Sequence, residues 1–293
     1  MDIKKNARLR ELLKKPGILA IPGCHDALGA RLIQQTGFSA CYMGGNGSMA
    51  SLLGMPDIGL ATASEMIGRA HLIAECIDLP LICDSDTGYG GLNNVWRTVR
   101  DYEAAGVSGI HIEDQVTPKK CGAMDGVELI PAEEMCKKIK TAVKARRDPN
   151  FVIIARTDSY LQVGLEEAIR RCKLFAEAGA DLLMPTCVAS VEDMRAFTQA
   201  IPDTPFFIDV NEFSQEMHNF SDRELETLGV KVVVHPMMSI LHEAAALGAL
   251  YRCYKECGST DEYLKNGRFM PQREYQALIG YEFTNNIEKI ISE

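Results

Sequence analysis

Residues 79–90 read Leu79-Pro-Leu-Ile-Cys-Asp84-Ser-Asp86-Thr-Gly-Tyr-Gly90. A short apolar run stops at two carboxylates and a glycine-rich turn. A strand that ends this way delivers its acids to a strand end, and in parallel α/β proteins ligands bind at the carboxyl ends of strands. Hard oxygen donors suit Mg²⁺, which keeps several waters and takes one or two protein carboxylates. Asp, Ser, Thr and Gly also favour loops, so the segment alone reads equally well as a turn.

Seven further apolar runs lie outward from this one. The full set is Ile18–Pro22, Ser39–Met43, Pro80–Asp84, Gly109–Glu113, Phe151–Arg156, Asp181–Pro185, Pro205–Asp209 and Lys231–His235. They are short and often continuous, as strands buried on both faces of a parallel sheet are. Helical signals separate them. Ala61–Ile77 is amphipathic, Pro131-Ala-Glu-Glu places proline and acids where a helix starts, and Glu166–Ala178 runs into Gly179. Eight alternating units predict an α/β fold, a (β/α)₈ TIM-type barrel. The rival is an open doubly wound sheet, but no Gly-x-Gly-x-x-Gly follows the first run. No Pro/Gly/Ser-rich linker divides the chain, so residues 1–293 read as one domain. From about 258 a polar loop and an aromatic-bearing segment, Tyr275 to Ile291, predict a helical extension beyond the barrel.

A chain of 293 residues with 46% hydrophobic residues can bury a large core. The formal net charge is −9, and basic residues cluster no further than Lys-Lys and Arg-Arg pairs, which argues against nucleic acid. Ten cysteines are scattered without Cys-x-x-Cys pairs or zinc spacing. The first residues carry no apolar signal region, and no stretch is long enough to span a membrane. The expectation is a reduced, cytoplasmic protein with a small-molecule ligand.

The predicted strand ends share a chemistry. The second gives Tyr42-Met-Gly44-Gly45-Asn46-Gly47, the third Asp84 and Asp86, and the fourth Glu113 and Asp114. The fifth gives Arg156, Thr157 and Asp158, the seventh Asp209 and Asn211, and the eighth His235. Polar residues cap any strand, but convergent carboxylates with an Arg and a glycine-rich stretch mark a metal-assisted pocket. Gly44–Gly47 reads as an anion nest or an ordinary turn. A buried Arg156 must be paired, either with a ligand carboxylate or with an internal acid such as Glu113. The long loop after the fourth strand, with glycines at 122 and 126, has the makings of a lid. On it, Lys119 and Lys120 directly precede Cys121 and are expected to lower its thiol pKa.

Together these residues resemble the isocitrate lyase/phosphoenolpyruvate mutase superfamily, and within it the 2-methylisocitrate lyase and 2,3-dimethylmalate lyase branch. The likeness runs from about residue 8 to residue 290. It is carried by Tyr42-Met-Gly-Gly-Asn-Gly, Leu53-Gly-Met-Pro-Asp57, Asp84-Ser-Asp86-Thr-Gly-Tyr-Gly, His111-Ile-Glu-Asp-Gln115, Lys119-Lys-Cys-Gly122 and Ile154-Ala-Arg-Thr-Asp158. The Lys-Lys-Cys-Gly loop separates the carbon–carbon lyases from the phosphonate mutases.

The resemblance implies a barrel whose last helix is swapped onto a neighbour in a homotetramer. It implies Mg²⁺, or Mn²⁺ in its place, on Asp84 and Asp86, with Asp57 and Glu113 reached partly through water. Gly44, Gly45, Asn46 and Arg156 would hold the carboxylate of a pyruvate-like half. Gly122, Thr186, Asp209 and Asn211 complete the expected substrate contacts. Cys121 would be the general acid, Lys120 its neighbour in catalysis, and Tyr42 a candidate base. The implied reaction cleaves a 2-hydroxy dicarboxylate to pyruvate and a second carboxylate. Four positions depart from the pattern: Ala123 stands where His is usual, Thr186 where Glu is, Asp209 where Asn is, and Leu241 where Arg is. Losing an Arg and gaining an acid favours a substituted malate over a tricarboxylate.

Overall fold

A computed structural model describes residues 3–212 and 220–292. Eight parallel strands close into a barrel in sequential order. They are β1 (Leu19–Cys24), β2 (Cys41–Met43), β3 (Leu81–Asp84), β4 (Gly109–Glu113), β5 (Val152–Thr157), β6 (Leu182–Pro185), β7 (Phe206–Asp209) and β8 (Val230–His235). Each matches a predicted run to within two residues. The seam closes where β8 pairs with β1, Leu19 opposite Val232.

Alternation along these strands divides the core in two. Ile21, Ile82, Val152, Ile154, Leu182, Met184, Phe207, Val232 and Val234 fill the lumen, and Leu9 from the helix Ile3–Lys14 joins them. The opposite faces pack against the surrounding helices through residues such as Ile110, Ile153, Leu183 and Phe206. Both faces are apolar because both are covered, which is why the runs read as nearly continuous. Fully burying one such side chain contributes roughly 1.5–3 kcal/mol.

The same period sets the site. Two residues beyond lumen-facing Ile82, Ile154 and Phe207 stand Asp84, Arg156 and Asp209. Their side chains therefore form the next layer up, at the carboxyl mouth.

The expected helices form: Ala63–Cys76 behind a Thr62/Glu65 capping box, Ala132–Ala145 with Glu133 and Glu134 in its first turn, and Leu165–Glu177. The tail differs from expectation. Met238–Cys257 is a 20-residue helix with no buried residue, ended by Gly258 in a left-handed cap. The segment read as one helix from Tyr275 is three short ones, Gln272–Leu278, Tyr281–Asn285 and Ile287–Ser292. Gly280 at φ 72 breaks the first from the second. Among the described residues no helix is long and apolar enough to cross a membrane.

Candidate active site

A cavity at the carboxyl mouth is lined by Tyr42, Gly44, Gly45, Asn46, Asp57, Asp84, Cys121, Gly122, Arg156, Thr186, Asp209 and Asn211, twelve of the residues singled out from sequence. Ala123, Cys187, Pro236 and Met237 complete it. Its volume is about 40 Å³, little more than one or two waters occupy. The loop bearing Cys121 forms part of its wall.

Asp57, Asp84, Asp86 and Glu113 are all buried. Between them lies Lys119, its Nζ 2.7 Å from Asp57 Oδ1 and 3.0 Å from Asp86 Oδ1. Burial alone would lower the Lys119 pKa, but Asp86, Glu113, Asp84 and Asp57 together drive it well up, so it stays charged. Burial raises Asp86 to about 6, opposed by Lys119 and helped by repulsion from Asp84 and Asp57. Burial also pushes Glu113 well up, against the pull of Arg156 and Lys119. Neither Glu113 oxygen has a hydrogen-bond partner, although Arg156 Nε lies 3.3 Å from one of them. Buried, incompletely satisfied carboxylates offering hard oxygens around one ammonium are a donor set that fits a divalent cation such as Mg²⁺.

The turn after β3 is built to aim Asp86. Its own N–H donates to Asp84 Oδ1 at 2.9 Å, and its carbonyl accepts from the Glu113 N–H at 3.0 Å. Its φ of 48° is unusual for a residue with a side chain. Asp84 Oδ2 accepts from the Gly45 N–H at 3.1 Å. A Cβ on Gly45 would stand 2.7 Å from that oxygen, so only glycine permits the approach. Burial opposes charge on Asp84, yet His111, Lys119, Arg156 and the Asp86 N–H hold its carboxyl below the usual range. His111 is itself held at about 4 by burial, so at neutral pH Lys119 and Arg156 supply the positive charge.

Gly44–Gly47 is neither a nest nor a simple turn. Gly45–Leu53 is a helix with Gly44 as its N-cap and no side-chain cap. Its positive dipole end borders the cavity, with the Gly45 N–H already on Asp84.

Arg156 has the internal acid anticipated for it, Glu113, and a second one, Asp158, that was not. It reaches Glu113 and binds Asp158, with Nε and Nη2 each 3.0 Å from Asp158 Oδ1. Asp158 Oδ1 also accepts from Thr186 Oγ1 at 2.5 Å, and Oδ2 from Gln115 Nε2 at 2.6 Å. Gly122 sits against this group, where a Cβ would meet Asp158 Oδ1 at 2.5 Å. Asp158 thus fixes Arg156 while leaving it at the cavity wall.

Tyr42 is not a free base. Burial first, then Asp84, pushes its hydroxyl pKa well up. The hydroxyl lies 2.8 Å from His111 Nε2, and His111 Nδ1 lies 3.6 Å from Asp84 Oδ1. His111 Nδ1 makes no hydrogen bond, so the contact with Tyr42 is the ring's one hydrogen bond among the described residues, and its direction follows the tautomer.

The two loop lysines part company. Lys119 enters the acid cluster, whereas Lys120 turns outward and its Nζ donates to the Gly126 carbonyl at 2.9 Å. Gln115 clasps the Lys120 backbone, accepting from its N–H and donating to its carbonyl, each at 2.9 Å. Lys120 is therefore a strut of the loop and stands away from the cavity. Cys121 is positioned by its N–H on the Asp57 carbonyl, 3.0 Å. Its thiol pKa is raised, not lowered: burial outweighs the Ala123 N–H, Arg156 and Lys119.

Three other expectations are displaced. Asp114 faces outward, accepting from Thr157 Oγ1 and Arg171 Nη1 at 2.7 and 2.9 Å. His235 turns to Asp222, 3.2 Å from Nε2, and to Glu212. Leu241 does not line the cavity; Met237, directly after Pro236, does.

Residues 9–253 match the pattern of the phosphoenolpyruvate phosphomutase family. The chain belongs to this family. It is 40% identical over 282 residues to 2,3-dimethylmalate lyase of Eubacterium barkeri, covering 96% of each chain. It is 37% identical over 286 residues to 2-methylisocitrate lyase of Bacillus subtilis, covering 98% of this chain and 93% of that one. Its fold superposes on oxaloacetate acetylhydrolase in complex with the inhibitor 3,3-difluorooxalacetate with a TM-score of 0.91, at 30% identity over 99% and 98% of the two chains. Phosphonopyruvate hydrolase in complex with oxalate and Mg²⁺ superposes at 0.86, with 28% identity over 97% and 98%. The chain is thus an enzyme of a superfamily that holds lyases, hydrolases and mutases.

Within the phosphomutase family site, sequence reasoning gave Asp158 only as a strand-end acid, Lys119 only as a neighbour of Cys121 and His111 only within a motif, and it missed Cys187 and Met237. Lys119, His111 and Asp158 stood in the quoted motifs, and the strand period already aimed Asp158 inward, two residues beyond Arg156. Cys187 and Met237 carried no signal.

Proposed function

We propose that this enzyme is a Mg²⁺-dependent carbon–carbon lyase that cleaves a substituted malate such as 2,3-dimethylmalate between C2 and C3, giving pyruvate and propanoate. The observation that carries the reading is Cys121, a thiol whose pKa burial raises, on the loop after β4 and facing the same cavity as Asp57, Asp84 and Arg156. The likeness to the Eubacterium barkeri and Bacillus subtilis lyases supports it.

Asp57, Asp84, Asp86 and Glu113 would hold the cation, which when bound polarises a C2 oxygen and the adjacent carboxylate. Arg156 and the helix N-terminus at Asn46 bind the carboxylate of the pyruvate half. Tyr42 oxygen takes the C2 hydroxyl proton as it passes its own to His111 Nε2, and Asp84 stabilises the imidazolium. The C2–C3 electron pair leaves with C3, and C2 becomes the ketone. Cys121 then donates its proton to C3, and the thiolate is reprotonated from His111 through solvent. A raised thiol pKa suits this acid, since it keeps the proton until the carbanion forms. The closed loop excludes water that would otherwise compete.

Substrate size follows from the charges. Among the described residues lining the cavity, Arg156 is the one cationic side chain, and Asp158 and Glu113 already engage it. Thr186 and Met237 add no positive charge and Asp209 adds an acid, which favours a dicarboxylate over 2-methylisocitrate.

A second reading, hydrolysis of oxaloacetate, draws on the likeness to oxaloacetate acetylhydrolase and on Ala123. Product analysis separates the two: pyruvate from 2,3-dimethylmalate supports the lyase, oxalate from oxaloacetate the hydrolase. We further place the enzyme in the cytoplasm, on the ten unpaired cysteines. We infer a homotetramer that covers the apolar tail, where Tyr251, Leu264, Phe283 and Ile291 are exposed.

A further inference from the structure

We propose that Cys253, Cys257 and Glu262 form a structural site for a thiophilic divalent ion, Zn²⁺ in chemical class, remote from the acid cluster. Cys253 and Cys257 are one turn apart near the end of the helix Met238–Cys257, so their thiols share one face. Gly258, at φ 66°, reverses the chain directly after Cys257. The reversal brings the short helix Asp261–Lys265 back against the helix end. Glu262 Oε2 then lies 3.8 Å from Cys253 Sγ. One ligand atom from each of the three residues lies within 4.8 Å of the other two. Edges of a tetrahedral site with Zn–S near ~2.3 Å are roughly 3.8 Å, so small side-chain rotations complete the set. Two thiolates and a carboxylate select a soft, tetrahedral ion over Mg²⁺. The fourth position is left to water. Each thiol gives up its proton to solvent on ligation, with no change of oxidation state.

Two features of the surroundings agree. A helix carboxyl end carries partial negative charge, which favours a cation there. Within a single chain neither Met238–Cys257 nor Asp261–Lys265 has a buried residue. An ion joining the two elements stabilises them by its binding free energy.

The test uses the full chain, stripped with chelator under reducing conditions and titrated with Co²⁺ and then Zn²⁺. Wild type is expected to give a thiolate-to-cobalt charge-transfer band that one equivalent of Zn²⁺ per chain abolishes. The Cys253→Ser/Cys257→Ser double variant should lose the band and that equivalent while keeping Mg²⁺-supported activity. Glu262→Gln should weaken binding by at least the ~10-fold that even an outer-shell partner is worth. Cys121→Ser should keep the band. Zn²⁺ should slow proteolysis between 258 and 270 in wild type only. A band that survives in the double variant, or vanishes in Cys121→Ser, overturns the assignment, as does a wild type that takes up no thiolate-bound Co²⁺.

Discussion

The ammonium of Lys119 lies 2.7 Å from Asp57 Oδ1, with both residues buried. This contact ties the Cys121 loop to the acid cluster. Removing one partner of a buried ion pair costs on the order of 3–5 kcal/mol, because the other charge is left uncompensated. Lys119→Met should therefore lower the melting temperature of the metal-free enzyme. Mg²⁺ should restore more of that loss than it adds to wild type, since ligand binding stabilises by mass action. Equal Mg²⁺ shifts in the two proteins would mean the acids do not bind the ion.

Cys121→Ser should reduce kcat by roughly 10²-fold or more, the scale of a lost general acid, with an unchanged circular dichroism spectrum. A variant with normal turnover would make Cys121 a packing residue only. Ala123→His tests whether the imidazole usual in relatives speeds proton delivery.

Tyr42→Phe and His111→Gln should each cut kcat by about 10² or more and leave KM little changed. Glutamine can still meet the Tyr42 hydroxyl but cannot take its proton. Retained activity in His111→Gln would remove the imidazole from the relay.

Asp209 is raised to about 6, chiefly by burial and opposed by Arg156. Its unfolded value is ~3.9, so the folded state holds this proton more tightly. The neutral form is fully favoured below about pH 4, and its advantage is lost as pH rises through about 6. Asp209→Asn should accordingly stabilise the protein above pH 6, by at most about 3 kcal/mol, and change little near pH 4. The side chain is partly exposed at the cavity, which reduces the gain. KM for an anionic substrate should rise above pH 6 in wild type and rise less in the variant, where Asp86 alone of the two still titrates near 6.

The barrel was legible because its strands are short, apolar and regularly spaced, and because period-two alternation carries Ile82 to Asp84 and Ile154 to Arg156. Arg156 to Asp158 follows the same period, which placed Asp158 among the strand-end acids though not as the partner of Arg156. The loop between Gln115 and Ile130 obeys no such period. Lys119 and Lys120 are neighbours in sequence, yet one enters the acid cluster and the other leaves it, because Gln115 grips the intervening backbone. The thiol pKa went the other way from expectation because burial outweighs the pull of Lys119, while Lys120 is turned away on carbonyls. Gly44–Gly47 misled for another reason: the glycines suggest a turn, but Ser48–Leu53 carries the helix back to Gly45. At the tail, Gly280 itself was the available sign of the break.

The most direct measurement is pyruvate release, coupled to lactate dehydrogenase, from 2,3-dimethylmalate and from 2-methylisocitrate, with Mg²⁺ and with excess EDTA. One missing Arg–carboxylate contact costs on the order of 1.5–3 kcal/mol, which predicts kcat/KM at least about tenfold higher for 2,3-dimethylmalate. Activity should disappear with EDTA and in Asp84→Ala or Asp86→Ala. A preference for 2-methylisocitrate would overturn the substrate assignment within the lyase class. Full activity in EDTA, or no pyruvate from either acid alongside oxalate from oxaloacetate, would contradict the Mg²⁺-dependent lyase itself.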